Sequence, residues 1–503
     1  MRHSAYIGAA LAMPIGIPRT ASAELPSELT ALSAVQLSAA IRARQVSCVE
    51  TMQAYLGRIE RYNPVYNAIV SLLDDGTCLA EARRADEELA RGEYRGWLHG
   101  VPHAVKDLAD AEGLPTSLGS PIFAGTMPES DSLHIARIRD AGAIFIGKTN
   151  VPEFGMGSQS YNTVFGVTRN AYDPSLTSGG SSGGAAVGMA TRMLPVADGS
   201  DMMGSLRNPA AFNNVIGFRP SQGRVPGTSA DLFYSQLPTS GPMGRNTEDT
   251  IRLLETIAGF DSRAPMAMRD ALPGFDAYRA PELSGLRIGW MGDYDGYLAT
   301  EPGVLELCEQ SLTSLENHGV QVDRVLPDFD MNRLWQAWLT LRHWSHAGRQ
   351  SMLEDRSLRR QLKPEMIFEI EGSLDLTAAD IATASVTRSD WYRAVHTLFE
   401  RFDFLALPSA QVFPFPAEMH WPSEINGHAM DTYHRWMEVV IGATLAGVPA
   451  LNLPVGFDAR GRPMGMQSMG PMGADRPVLE FGLSYELVTD HLQQRPNLVD
   501  RLA

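Results

Sequence analysis

Short β-prone apolar runs alternate with amphipathic helical stretches at both ends of this chain, and that alternation constrains its fold more than any other feature. Apolar residues recur every three or four positions from Ala34 to Arg44 (Val35, Leu37, Ile41) and from Cys48 to Tyr62 (Met52, Tyr55, Leu56, Ile59), the spacing of one buried helical face. Leu79 to Arg91 continues in the same style with many charges. Val101 to Lys106 reads as a strand, Ser132 to Ala141 as a helix, and Ala143 to Ile146 as a strand again. Beyond the turn signal Pro226-Gly227 the alternation resumes: strand Leu286 to Met291, helix Gly303 to His318, strands Val320 to Val325 and Phe404 to Leu407. Pro449 to Val455 and Pro463 to Met469 add two buried strands. The sheet therefore draws on both ends of the chain. The sequence predicts an α/β protein, a single large domain with a mixed β-sheet covered by helices on both faces.

That domain is expected over residues 27–503, with residues 1–26 set apart as a leader. Arg2 precedes an apolar run from Ala5 to Pro18, and Ala21-Ser22-Ala23 resembles a small-residue cleavage site, but Pro14, Pro18 and Arg19 interrupt the run. The chain reads as cytoplasmic, with export after cleavage of residues 1–23 as the alternative.

Composition narrows the function classes. A chain of 503 residues that is 44% hydrophobic and 20% charged has the material for a substantial core. Its net charge of -16, with no Lys/Arg-rich run, argues against a nucleic-acid or anionic membrane partner. It holds no apolar stretch of about 18 residues, the length a spanning helix needs. Cys48, Cys78 and Cys308 fall outside any CxxC or Cys/His pattern and read as buried thiols. A small-molecule substrate remains as the partner; a homodimer stays open.

Lysine usage points to chemistry. Of 42 basic residues only Lys106, Lys148 and Lys363 are lysines. Arginine does not deprotonate in a protein, whereas a buried lysine is readily neutralised and then serves as a base. Lys106 ends an apolar strand; Lys148 is a weaker candidate. Taken alone, Lys106 reads equally well as the partner of Asp107 or Asp110 in a structural ion pair. Gly179-Gly-Ser181-Ser182-Gly-Gly184 contains G-x-S-x-G twice, which raises a nucleophile elbow with a downstream histidine as its base. The preceding Tyr172 to Leu176 lacks the strand character that an elbow demands. From Asp198 to Pro209 the sequence returns to turn chemistry. Six of the eight tryptophans (335, 338, 344, 391, 421 and 436) lie between Trp335 and Trp436, where they either line an apolar pocket or pack helices on the sheet.

Gly100-Val-Pro-His-Ala-Val-Lys106-Asp, then Gly179 to Gly184, then Asp201-Met-Met-Gly-Ser-Leu-Arg-Asn-Pro-Ala210 resemble, in that order, the motifs of the amidase signature family. The similarity extends through Lys148 to Phe154, Gly217 to Val225 and Gly447 to Gly456. It implies that Ser205 attacks an amide carbonyl, that Ser181 sits on a cis peptide and relays the proton, and that neutral Lys106 accepts it. It further implies an oxyanion hole from the backbone of Met202, Met203, Gly204 and Ser205. The family commonly has glycine where Met203 stands. Asp201 and Arg207 read as a clamp on this turn, Ser182 as a brace, and Ser158 with Gln159 as substrate-contacting positions. No metal or organic cofactor is implied, because base, relay and amide donors complete the chemistry. The resemblance leads to an amidase for a carboxylic amide, aryl or otherwise apolar, with esters as side substrates. The alternative is a glutaminase subunit of a tRNA-dependent amidotransferase.

Overall fold

The computed structural model describes residues 25–229, 231–234 and 237–499. The expected leader, residues 1–26, lies outside them except for Leu25 and Pro26. Eight strands form the central sheet. In spatial order they are Gln321–Arg324, Arg287–Trp290, Phe404–Pro408, Pro463–Met469, Ala450–Phe457, Ile216–Arg219, Thr239–Gly244 and Val196–Asp201. The first three run parallel and the remaining pairings are antiparallel, so the sheet is mixed as expected. A second sheet of three strands, Ile69–Val70, Ile144–Thr149 and Pro102–Lys106, lies against its Val196–Asp201 edge.

Local chemistry explains the central strands. Pro454 has no N–H to donate; pairing with Ile216–Arg219 ends at Asn452, and the register with Pro463–Met469 slips between Pro454 and Gly456. Asn452 is fully buried in the same strand because its side chain is satisfied on both sides, accepting from Ser409 Oγ (2.8 Å) and donating to Val215 O (3.0 Å).

The expected turn character of 198–209 is corrected at its start. Val196–Asp201 is a six-residue edge strand whose Asp, Gly and Ser content hides its β nature. Ile216–Arg219 and Thr239–Gly244 complete the missed part of the sheet. Of the six tryptophans in the aromatic segment, Trp335, Trp338, Trp391 and Trp436 are fully buried core residues. Cys48, Cys78 and Cys308 are buried and free.

The helix Gly183–Ala190 is buried along almost its whole length. Its first seven residues are buried and small enough for two backbones to come into contact with it. A Cβ at Gly184 would stand 2.3 Å from Asn150 N and 2.5 Å from Ala68 O, main-chain atoms that cannot give way. Gly184→Ala is therefore expected to lower stability by about 1–3 kcal/mol or more, read as a fall in the denaturant midpoint at unchanged slope.

Candidate active site

Lys106 is the last residue of the strand Pro102–Lys106, which is buried along its whole length. Its Nζ meets four neutral oxygens: Ser182 Oγ at 2.7 Å, Ser181 Oγ at 2.9 Å, Ser200 Oγ at 3.0 Å and Ser200 O at 3.2 Å. Among the described residues no carboxylate touches it. Burial drives its pKa down to about 7, against the upward pull of Asp198 and Asp201. The ion-pair reading with Asp107 fails on geometry, since Asp107 accepts from the amides of Ser117 (3.0 Å) and Gly119 (3.2 Å). Lys148 is directed elsewhere, its Nζ donating to Ala109 O (2.6 Å) and Thr116 Oγ1 (3.0 Å).

The serine loop is held from three sides. Gly180 N donates to Asn208 Oδ1 (3.3 Å), Ser160 N to Gly179 O (3.0 Å), and Ser158 Oγ to Gly180 O (3.1 Å). The Gly180–Ser181 peptide bond is cis. Ser182 N donates to Ser205 O (3.3 Å), which joins this loop to the turn that follows Val196–Asp201. Ser182 thus touches both Lys106 and the Ser205 main chain. Gln159 is buried beside Ser158, its side-chain nitrogen and oxygen without partners among the described residues.

Asp201 shapes the turn. Its carboxylate accepts from Gly204 N (2.9 Å), Leu206 N (3.2 Å), Arg207 Nε (3.0 Å) and Arg207 Nη2 (2.9 Å), with Arg219 Nη1 at 3.3 Å. Asp201, Arg207 and Arg219 are all fully buried. Burial alone would raise the Asp201 carboxyl, but the two guanidiniums outweigh it and hold it well below the usual carboxylate range. Gly204 takes φ +77°, and a Cβ there would meet Val440 Cγ2 at 2.8 Å. Met203 does not take positive φ, so a side chain at that position leaves the turn unstrained. Of the four expected oxyanion donors, the Gly204 N–H donates to Asp201 Oδ1. The N–H groups of Met202, Met203 and Ser205 have no partner among the described residues.

Ser205 opens on a small cavity of about 30 Å³, lined also by Ser158, Met203, Arg342, Tyr433 and Met437. Met202 separates it from a larger cavity of about 570 Å³ bordered by Leu237, Leu341 and Trp344. The family model described as Amidase matches residues 50–479. The chain belongs to the amidase signature family. An acylamidase from Rhodococcus erythropolis is 30% identical over 467 residues, covering 92% of this chain and 97% of the relative. The A-type chain of the glutamyl-tRNA(Gln) amidotransferase of Acidothermus cellulolyticus is 34% identical over 490 residues, covering 92% and 95%. The crystal structure of a bacterial aryl acylamidase of the amidase signature family superposes with a TM-score of 0.85 at 27% identity, covering 92% of this chain and 99% of the other.

Several residues of this amidase's cavity wall escaped sequence reasoning. Arg342, near the end of helix Met331–Trp344, is buried and donates from Nε to Glu369 Oε1 (3.1 Å) and from Nη2 to Tyr433 OH (3.2 Å). Its Nη1 faces the sulfur of Met202. Glu369 also meets His343 Nδ1 at 2.8 Å and the Tyr433 hydroxyl. Burial pushes His434 down to about 3, against the pull of Glu369, so it is neutral near pH 7. The tryptophan-rich segment marks this wall in the sequence, but the polar residues between the tryptophans form it.

Replacing Asp201 leaves two buried guanidiniums facing each other. Asp201→Asn is expected to destabilise the protein by about 3–5 kcal/mol, measured by equilibrium denaturation.

Proposed function

We propose that this amidase hydrolyses a neutral carboxylic amide with an apolar acyl or aryl group, through an acyl-enzyme on Ser205. One observation carries the reading: Lys106 Nζ is fully buried among serine oxygens with no carboxylate in contact, so that it is available as a base near neutrality. Neutral Lys106 takes the Ser181 hydroxyl proton as Ser181 takes that of Ser205, and Ser205 Oγ bonds to the amide carbon. The carbonyl oxygen, now an anion, lies against the N–H groups of Met202, Met203 and Ser205. Collapse breaks the C–N bond, and the proton returns through Ser181 to the departing amine. A water molecule then repeats the sequence on the Ser205 ester and releases the acid.

The charge of the cavity wall favours this over the glutaminase reading. Free glutamine carries an ammonium beside its carboxylate, and no acidic residue lines the Ser205 cavity among the described residues. Glu369, behind Arg342 and Tyr433, is occupied by these two and by His343. The acylamidases among its relatives agree with a neutral acyl amide.

The purified protein is tested on glutamine, benzamide, hexanamide and an acyl anilide by release of ammonia or amine. Turnover of the apolar amides is expected, with a fall in kcat/KM of about 10³-fold or more in Ser205→Ala and in Lys106→Ala. Turnover of glutamine alone would transfer the assignment to the amidotransferase glutaminase, and an active Ser205→Ala would remove the nucleophile.

The pH profile follows from the base. Lys106 works only when neutral, so kcat/KM of the wild type is expected to rise through about pH 7 and level off above it. A profile flat from pH 5 to 8, on a scale of about three units around neutrality, would exclude Lys106 as the base.

A further inference from the structure

Behind Lys106 lies a buried polar cluster that this mechanism does not use. Asp198, within the edge strand Val196–Asp201, is fully buried and reaches across to the neighbouring sheet. Its carboxylate accepts the Lys106 main-chain N–H at 3.2 Å (Oδ1) and 3.3 Å (Oδ2), and Oδ1 pairs with His103 Nε2 at 2.9 Å. His134, from helix Leu133–Asp140, brings Nε2 to 4.0 Å of Oδ2. Among the described residues no His/Cys/Asp/Glu group is arranged to hold a metal ion, this one included. An apolar contact would join two sheets more cheaply than a buried carboxylate with two imidazoles.

The outer atoms of the cluster orient its hydrogen bonds. His103 Nδ1 is buried with no partner among the described residues, which a bare lone pair tolerates far better than an orphaned N–H. His103 Nε2, at 2.9 Å, is the atom that donates to Asp198 Oδ1. Burial lowers the pKa of His134, which also favours the neutral ring. Asp198 is the carboxylate of the cluster, and both its oxygens face the Lys106 main chain. The other charges near Lys106 are largely compensated. Asp201 faces Arg207 and Arg219, while Asp107 has Lys148 nearby from the strand Ile144–Thr149. Arg137 on the His134 helix donates to Ile257 O and Ala258 O.

We infer that Asp198 is a positioning residue for Lys106, fixing the strand end from which the side chain springs and supplying the negative charge that keeps this amine able to take a proton near neutrality. The inference rests on the reading of Lys106 as the base. Without that charge the ammonium loses its stabilising field, so Lys106 becomes neutral at lower pH and is a weaker base.

The experiment exploits the fact that the chain has only three lysines. Protein labelled with lysine carrying ¹³C at Cε is titrated by NMR, with the Lys106 signal identified by its loss in Lys106→Ala. In Asp198→Asn the Lys106 midpoint and the acid limb of kcat/KM are both expected to move down by about one pH unit. The pair replacement His103→Phe with Asp198→Leu removes both members of the 2.9 Å contact and leaves only the Lys106 main-chain N–H without its acceptor, guards against a misfolded single variant, and is expected to give the same downward shift. His103→Gln keeps a neutral N–H donor on Asp198 and is expected to leave the Lys106 midpoint in place. An unmoved midpoint in folded Asp198→Asn and in the folded pair would overturn the inference. The NMR titration needs no turnover, so it decides the role of Asp198 even if an active Ser205→Ala displaces the nucleophile.

Discussion

Lys106 Nζ is enclosed by the oxygens of Ser181, Ser182 and Ser200, with no anion in contact, and the surrounding architecture follows from satisfying it. A buried amine needs acceptors for its N–H groups, but a carboxylate at that distance would hold it protonated. Hydroxyl and carbonyl oxygens meet the first need without creating the second problem. Ser200 comes from the strand Val196–Asp201, and bringing Ser181 and Ser182 to the same point requires a loop that turns tightly between two packed elements. This explains the glycines on either side of Ser181 and Ser182, and the small-residue helix that follows, which is packed directly on the main chain at Asn150 and Ala68.

The neighbouring turn solves the opposite problem. Asp201 is a buried charge with two guanidiniums upon it, and its oxygens also take the amides of Gly204 and Leu206. Arg207 carries the connection onward to Gln467, to Val440 O (3.0 Å) and to Thr444 Oγ1 (3.3 Å), so the turn is anchored to the strand Pro463–Met469 and the helix Ile441–Ala446. Such an arrangement adds little net stability, since desolvation offsets most of the attraction, but removing one member is costly. Its consequence is geometric: Ser205 is presented from a turn whose every constraint is buried.

Legibility in the sequence followed pattern strength. Pro463–Met469 and Phe404–Pro408, dense in apolar residues, were readable as strands, and the segment carrying Met52 and Ile59 as a helix. Val196–Asp201 was not, because its Asp198, Gly199, Ser200 and Asp201 are turn-formers by propensity and strand residues only through pairing with Thr239–Gly244. The position of Lys106 was legible from lysine scarcity together with a strand end, and the serines from motif order. Arg342, Glu369 and Tyr433 were not, since they come together from two helices and a loop separated by many residues, and no local pattern encodes that meeting. The commitment of the Gly204 amide to Asp201 was hidden for the same reason: backbone donors look alike in sequence, and only the carboxylate's position tells them apart.

The cavity wall carries the synthesis to the substrate. Methionines 202, 203 and 437 give it flexible, polarisable surfaces, while Arg342 is turned so that Glu369 and Tyr433 take its charge and Met202 covers one of its terminal nitrogens. A substrate ammonium would find no acceptor of matching charge there, and a substrate carboxylate would have to compete with Glu369 for the guanidinium. An uncharged group loses nothing on entering and gains contact with thioether and aromatic surfaces. The space at Ser205 is about 30 Å³, and Met202 stands between it and the larger volume bordered by Leu237, Leu341 and Trp344, so the Met202 side chain sets how far the two are joined. Methionine, unbranched and with three rotatable bonds, is the apolar residue that yields at least cost. Methionine at position 202 thus makes this wall adjustable and apolar, while the buried clamp on Asp201 holds the turn that carries Ser205.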